Sequence, residues 1–133
     1  MNKVLVILFF CTLLLTLSVE VLAQEKPEYI IGINNFPNFG WAQYNKEGKI
    51  TGYKGINVLL GYSQKMYFEP GIKLNSFNPF WGLGTVGLII PYGVVGVEYA
   101  IPVDDEKNYF TISAEIGLVL MVPITGIGIS YVW

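Results

Sequence analysis

The chain has 133 residues with eight basic and ten acidic side chains, which give a net charge of −2 at pH 7. It contains no Arg and no His, so it lacks the usual footprint of nucleic-acid recognition as well as the commonest acid–base group and metal ligand. A chain of this length has room for one domain. From composition we therefore expect no nucleic-acid partner, no cofactor and no metal.

The N-terminal segment has the three parts of a secretory signal peptide, which we predict to cover residues 1–23. A lysine stands near the start, an apolar run follows from Val4 to Leu17, and Ala23 marks a cleavage position. The apolar run is shorter than the roughly 20 residues of a membrane-spanning helix, so a permanent anchor is the less favoured interpretation. Cys11 is the only cysteine and lies in this segment. Residues 24–133 are then a single domain without a thiol.

Alternation of apolar with polar or small residues is the strongest pattern in the rest of the chain. Even positions from 110 to 120 are all apolar, whereas odd positions from 109 to 117 hold Tyr, Thr, Ser, Glu and Gly. A period of two predicts β-strands with one apolar face, and clusters of Asn, Pro and Gly between the segments predict turns. Eight candidate strands result: 29–34, 39–44, 50–62, 65–74, 80–90, 93–101, 109–121 and 125–133.

These strands predict an all-β domain, a small antiparallel up-and-down β-barrel of about eight strands after the cleaved signal peptide. Several candidates are about 9–13 residues long, which suits a tilted strand that crosses a membrane, since such a strand needs about 9–11 residues. The alternation slips near Gly84-Thr85, where we expect a bulge or bend.

The two faces of the strands differ in a way that favours lipid over water. The apolar face is nearly uninterrupted, while the other holds Gly, Ser, Thr and Ala with scattered Lys and Glu. In a membrane barrel the apolar face points outward and the interior is polar. We therefore predict an outer-membrane location with the lipid bilayer as partner. Aromatic residues near strand ends are predicted to lie at the membrane–water interface: Tyr62, Trp81, Tyr99, Tyr109, Tyr131 and Trp133.

The last segment, Gly126 to Trp133, alternates throughout and ends on an aromatic residue. It resembles the closing strand of small bacterial outer-membrane β-barrel proteins as a class. The resemblance implies that the outer-membrane assembly machinery is a partner that recognises this strand. It points to a class of proteins and to no specific family.

A set of charged residues would face the interior of such a barrel: Lys65, Glu69, Lys73, Glu98 and Glu115. Because buried charges need partners, we expect a network of Lys and Glu that fills the lumen. A barrel of about eight strands is just wide enough for side chains to fill it, so a pore is the less favoured function. No nucleophile signature surrounds the carboxylates. The sequence predicts no catalytic residues and a structural or accessory role without catalysis.

Two other architectures are compatible with parts of the pattern. A soluble periplasmic or secreted β-barrel that binds a small apolar ligand would turn the apolar face inward. A small polytopic helical membrane protein would use the uncharged runs 79–97 and 116–133 as spans. The shortest predicted turns, at 63–64, 91–92 and 122–124, would lie away from the C-terminus, where outer-membrane barrels usually have longer loops.

Overall fold

The computed structural model describes residues 29–34, 36–104 and 108–133, with the backbone alone for Asp104. The predicted signal peptide lies outside these residues. Within them the regular elements are β-strands, and no helix there is long and apolar enough to cross a membrane. The interpretation as a polytopic helical protein is therefore wrong.

Eight antiparallel strands form a closed barrel in which consecutive strands are neighbours. The ring closes where the first strand pairs with the last. This confirms the predicted up-and-down barrel. The strands are β1 (Tyr29–Ile33), β2 (Phe39–Tyr44), β3 (Ile50–Ile56), β4 (Tyr62–Tyr67), β5 (Ser76–Val86), β6 (Ile90–Asp104), β7 (Asn108–Val119) and β8 (Val122–Val132).

The strands are tilted against the barrel axis, as their pairing shows. We start at Ile30 on β1 and pass from each residue to its paired partner on the next strand. This path around the ring ends at Val122 on β8. Ile30 itself pairs with Val132, ten residues further along β8. This stagger is about 33 Å along the strands against a sheet width of about 38 Å perpendicular to them, which gives a tilt of about 40°.

Alternate residues of each strand face opposite sides of the wall. On β7, Thr111 and Ser113 are buried inside the barrel, whereas Ile112 and Ile116 are 48% and 60% exposed on its outside. The apolar face of the alternation is therefore the outer face. A barrel with that face turned inward around an apolar ligand therefore does not describe this fold.

The third and fourth strands differ from their predicted bounds, because a turn is hidden in an apolar stretch. The chain reverses at 57–61, where the Oδ1 atom of Asn57 accepts hydrogen bonds from the backbone N–H groups of Leu59 and Gly61, each at 3.0 Å. The turn contains two leucines, Leu59 and Leu60, so alternation alone extended the predicted third strand to residue 62. The fourth strand begins after this turn at Tyr62 and ends at Tyr67, not at Leu74.

Other details of the prediction are also corrected. The β5–β6 pair keeps one register from Ser76 to Val86, so the bulge expected near Gly84-Thr85 is absent from this described pair. The alternation slips there because the Thr85 hydroxyl binds backbone groups: it accepts from the Tyr62 N–H at 3.2 Å and donates to the Gly87 carbonyl at 2.9 Å. The turns predicted at 91–92 and 122–124 lie earlier, at 87–89 and 120–121.

Four regions of the barrel are used below. The terminal rim is the end that holds Tyr29, Trp133 and the connections 45–49 and 68–75. The far rim is the opposite end, with residues 34 and 36–38 and the connections 57–61, 87–89 and 120–121. The short wall is β1–β4, whose strands have 5, 6, 7 and 6 residues. The long wall is β5–β8, with 11, 15, 12 and 11 residues.

Candidate functional site: the barrel interior and outer surface

A buried ion pair crosses the interior from the short wall to the long wall. The Nζ atom of Lys65 on β4 lies 2.8 Å from Oε2 of Glu98 on β6, and these side chains are 1% and 0% exposed. The hydroxyl of Tyr67 donates a hydrogen bond to the other oxygen of Glu98. The ammonium also lies 4.3 Å from the ring centre of Phe80. Both predicted interior residues are thus inside the barrel and hold each other in place.

Tyrosine side chains fill the interior beside this pair. The hydroxyls of Tyr53 and Tyr109 are hydrogen-bonded to each other. The rings of Tyr53 and Tyr67 meet edge to face at 6.2 Å. All three residues are buried. Tyr109 was predicted as an interface aromatic; this is corrected, because its odd position on β7 turns it inward with Thr111.

A column of polar side chains on β7 faces the interior at Thr111, Ser113 and Glu115. These residues are 0%, 2% and 8% exposed. Within the described part of the chain, Thr111 Oγ1, Ser113 Oγ and Glu115 Oε2 have no hydrogen-bond partner. Glu115 pairs across the sheet with Gly96 and Gly126, which carry no side chains. The interior beside Glu115 therefore offers unpaired oxygens that can accept hydrogen bonds.

The remaining two residues of the predicted lumen network lie on the surface. Lys73 Nζ and Glu69 Oε2 are 2.6 Å apart in the connection 68–75, with side chains 62% and 68% exposed. The hydrogen bond and charge of Lys73 lower the pKa of the Glu69 carboxyl below its usual value. The prediction was wrong because β4 ends at Tyr67, so the alternation beyond it no longer reports which face a residue occupies.

Outward-facing aromatic residues cluster beside the terminal rim. The rings of Tyr131 and Trp133 stack at 5.8 Å, Tyr131 meets Phe110 at 4.9 Å, and Trp133 meets Tyr29 at 5.8 Å. This series runs across β7, β8 and β1. On β5 and β6 a further pair, Phe77 and Tyr99, meets at 5.0 Å. We call these six residues the aromatic belt: Tyr29, Phe77, Tyr99, Phe110, Tyr131 and Trp133.

The other predicted interface aromatics lie elsewhere on the outer face. Tyr62 is 47% exposed at the far end of β4. Trp81 is half-buried in the middle of β5. Sequence reasoning missed Tyr29 as a belt member, although its place at the start of the first strand, beside the end of the last, would have indicated it.

The outer face of the short wall carries a polar group that the sequence pattern did not single out. Gln64 Nε2 on β4 donates to Gln43 Oε1 on β2 at 3.2 Å. Between them on β3 lies Lys54, whose ammonium is 5.9 Å from the ring centre of Trp41. Lys54 lies directly between Tyr53 and Gly55, which face inward. Because neighbouring residues of a strand face opposite sides, this position would have placed Lys54 on the outer face.

Across the described residues, no three His, Cys, Asp or Glu side chains lie close enough together to hold a metal ion. The interior therefore offers an ion pair, a set of tyrosines and one polar column. Comparison of the chain with protein-family models, with curated protein sequences and with solved structures gives no match.

Proposed function

We propose that this protein is a small outer-membrane β-barrel with a structural or accessory role and no catalysis. The observation that carries the proposal is the outer face of the long wall. None of the described side chains that point outward from β5–β8 is charged, and large apolar side chains are exposed there. They include Leu83, Val95, Ile101, Ile112, Ile116, Leu118, Ile127 and Ile129.

The dimensions of the long wall support a membrane location. A strand of 11 residues, the length of β5 and β8, tilted by about 40°, covers about 28 Å along the axis. The apolar band of outer-membrane barrels is about 25 Å tall. The aromatic belt lies at one end of this span, as expected for residues at the membrane–water interface.

Charged residues support an orientation with the terminal rim in water. Glu47 and Lys49 form an exposed pair at 3.3 Å in the turn 45–49, and Glu69 and Lys73 form another in 68–75. If the C-terminal strand is presented to the assembly machinery, as in barrels of this class, this rim faces the periplasm. The far connections stay short, which is the reverse of the usual loop arrangement.

The occupied part of the interior supports a structural or accessory role over transport. Lys65, Glu98 and the three buried tyrosines occupy the lumen between the walls, and a barrel of eight strands has room for at most one small ligand beside such side chains. Because Lys65 and Glu98 are already paired, neither is presented as a reactive group.

Cell fractionation and gel migration test this proposal. The full chain, expressed in a Gram-negative host, should fractionate with the outer membrane and migrate faster on gels when unheated than when boiled. Trp133→Ala should reduce the folded, heat-modifiable fraction severalfold, because the assembly machinery loses its terminal aromatic. Trp41→Ala, an aromatic change on the opposite wall, is the matched control and should reduce it less. Recovery of the unaltered chain in the soluble periplasm would contradict the proposal.

A further inference from the structure

The far rim exposes large apolar side chains at the tips of its turns. Leu60 is 83% exposed, Leu88 is 90%, Ile89 is 84% and Met121 is 87%. None of the described residues in the far-rim connections is charged. Turns that face water are usually built from Gly, Asn, Asp, Ser and Pro. A rim of this composition is costly to hydrate, since exposed apolar area is unfavourable in water.

The backbone conformation at these tips is one that large side chains rarely adopt. Leu60 has a φ of 57°, Leu120 of 47° and Met121 of 68°. This left-handed region is unfavourable for residues with a side chain, and Gly or Asn normally occupies it in tight hairpins. The sequence therefore places large apolar side chains at positions where turn geometry alone favours small or polar ones. Strained positions of this kind point to a functional demand on the side chain.

Two asparagines of the far rim, Asn38 and Asn57, are buried and hydrogen-bond across its connections. Besides holding its own turn, Asn57 donates from Nδ2 to the Thr85 carbonyl at 2.9 Å and to Ser63 Oγ at 3.0 Å. Asn38 Oδ1 accepts from the Val58 N–H at 3.0 Å. The Gly87 N–H bonds to the Leu59 carbonyl at 2.8 Å. These contacts link three neighbouring connections, and within the turn 57–61 every backbone N–H is hydrogen-bonded to the protein.

That arrangement meets the requirement of a lipid environment. In hydrocarbon, each backbone N–H and C=O must find its partner within the protein. The terminal rim behaves differently: Asn45 also accepts backbone hydrogen bonds, at 3.0 and 2.9 Å, but the turn it closes carries Glu47 and Lys49. Both rims therefore have a turn that is closed by asparagine hydrogen bonds. The turn of the terminal rim exposes charged side chains, whereas the turn of the far rim exposes apolar ones.

We propose that the turn 57–61 of the far rim is embedded in the acyl-chain region of the bilayer, so that lipid hydrocarbon covers its tip at Leu60, whereas the long-wall tips lie at the opposite boundary of that region. The inference rests on the proposed membrane location and adds to it how deeply the barrel reaches into the bilayer. The apolar outer face runs from the long wall into the rim through Leu118, Leu120 and Val122 with no charged residue between them. Lipid is the occupant that such continuity favours.

The short wall adds an independent reason. A strand of six residues, as in β2 and β4, covers about 15 Å of the axis at a tilt of about 40°. Starting from the level of the belt, the turn at Leu60 then ends well inside a hydrocarbon layer about 25 Å thick. On this side of the barrel the tip does not reach the opposite headgroups.

Single-cysteine labelling tests the depth of the rim. Cys11 lies in the predicted leader and is the only cysteine, so Leu60→Cys, Leu88→Cys and Met121→Cys each introduce one thiol in the barrel. Purified variants are reconstituted into phosphatidylcholine vesicles and treated with a membrane-impermeant maleimide. A second sample is labelled with bimane in detergent and reconstituted with brominated acyl-chain lipids. Glu47→Cys in the terminal rim and Ile112→Cys on the long wall are the controls, and heat-modifiable migration checks that each variant folds.

The inference predicts that the thiol of Leu60→Cys reacts at least tenfold more slowly than those of Glu47→Cys, Leu88→Cys and Met121→Cys, and that its bimane is quenched by brominated lipid as strongly as at Ile112→Cys. Fast labelling of Leu60→Cys with Ile112→Cys still protected would overturn the embedding and leave the membrane barrel intact. Fast labelling at both would instead sink the proposed function. Protection in native outer membranes but not in pure lipid vesicles would overturn the inference in favour of a protein partner.

Discussion

The long wall and the short wall belong to one hydrogen-bonded ring, yet they present different surfaces. Strands of the long wall have 11 to 15 residues and an outer face with no charged described side chain. Strands of the short wall have 5 to 7 residues and expose Gln43, Lys54 and Gln64 as a polar group. Closure of the barrel pairs the backbone hydrogen-bonding groups of the strands in both walls. Side chains and strand length therefore decide which wall lipid can cover.

The largest expected effect comes from the ion pair that joins the two walls. Glu98→Ala leaves Lys65 buried without its carboxylate, and we expect a loss of about 3–5 kcal/mol in the free energy of unfolding. Guanidinium titration of the protein in vesicles, followed by tryptophan fluorescence, measures it. Glu69→Ala removes the exposed partner of Lys73 and should leave the free energy of unfolding nearly unchanged, because exposed ion pairs contribute little. Equal losses in the two variants would show that the interior is hydrated.

Adding a charge to the outer face of one wall and removing a charge from the other tests the difference between the two walls directly. Ile112→Lys places an ammonium on the long wall, where lipid contact predicts a loss of about 2–4 kcal/mol. Lys54→Met removes one from the short wall and should be neutral or stabilising by up to about 1 kcal/mol. The same titration in vesicles gives both values. A tolerated Ile112→Lys would break the assignment of lipid to the long wall.

Added methyl groups inside the two walls should have unequal effects. A Cβ atom at Gly55 on β3 would lie 2.5 Å from the Cα of Gly40, so Gly55→Ala forces strands apart and should cost about 1–3 kcal/mol. A Cβ atom at Gly126 on β8 would lie 3.5 Å from the Glu115 side chain, an ordinary contact, and Gly126→Ala should change stability by less than about 0.5 kcal/mol. Similar losses at both positions would mean that the interior of the long wall is equally crowded.

The smallest effect concerns the connection between the walls at 68–75. Lys73 lowers the pKa of Glu69, so the ionised pair stabilises the fold above the carboxyl's unfolded pKa, and that contribution is lost as pH falls through the lower folded pKa. NMR titration of the Glu69 side chain should show its pKa rising towards the usual value in Lys73→Met. An unchanged pKa would mean that the contact does not persist in solution.

The strands followed from alternation, because a period of two records which side of a sheet each residue occupies. The antiparallel order followed from the short turns between them, and the outward apolar face from the composition of the two faces. The turn at 57–61 did not follow, since Asn57 closes it by side-chain hydrogen bonds among apolar neighbours. Lys65 and Glu98 were predictable as interior charges, but their pairing depends on the stagger of β4 and β6. Glu69 and Lys73 were misplaced because alternation has no meaning beyond a strand's end.

The closure of the ring depends on its shortest strand. β1 is held by three paired residues on β2 and four on β8, whereas β6 and β7 share twelve. The hairpins of the long wall are local in sequence, but β1 and β8 must meet across nearly the whole domain, at a larger entropic cost of loop closure. We therefore expect this seam to form last and to open first. An open seam would expose the edges of β1 and β8, which a strand from another protein could extend during assembly.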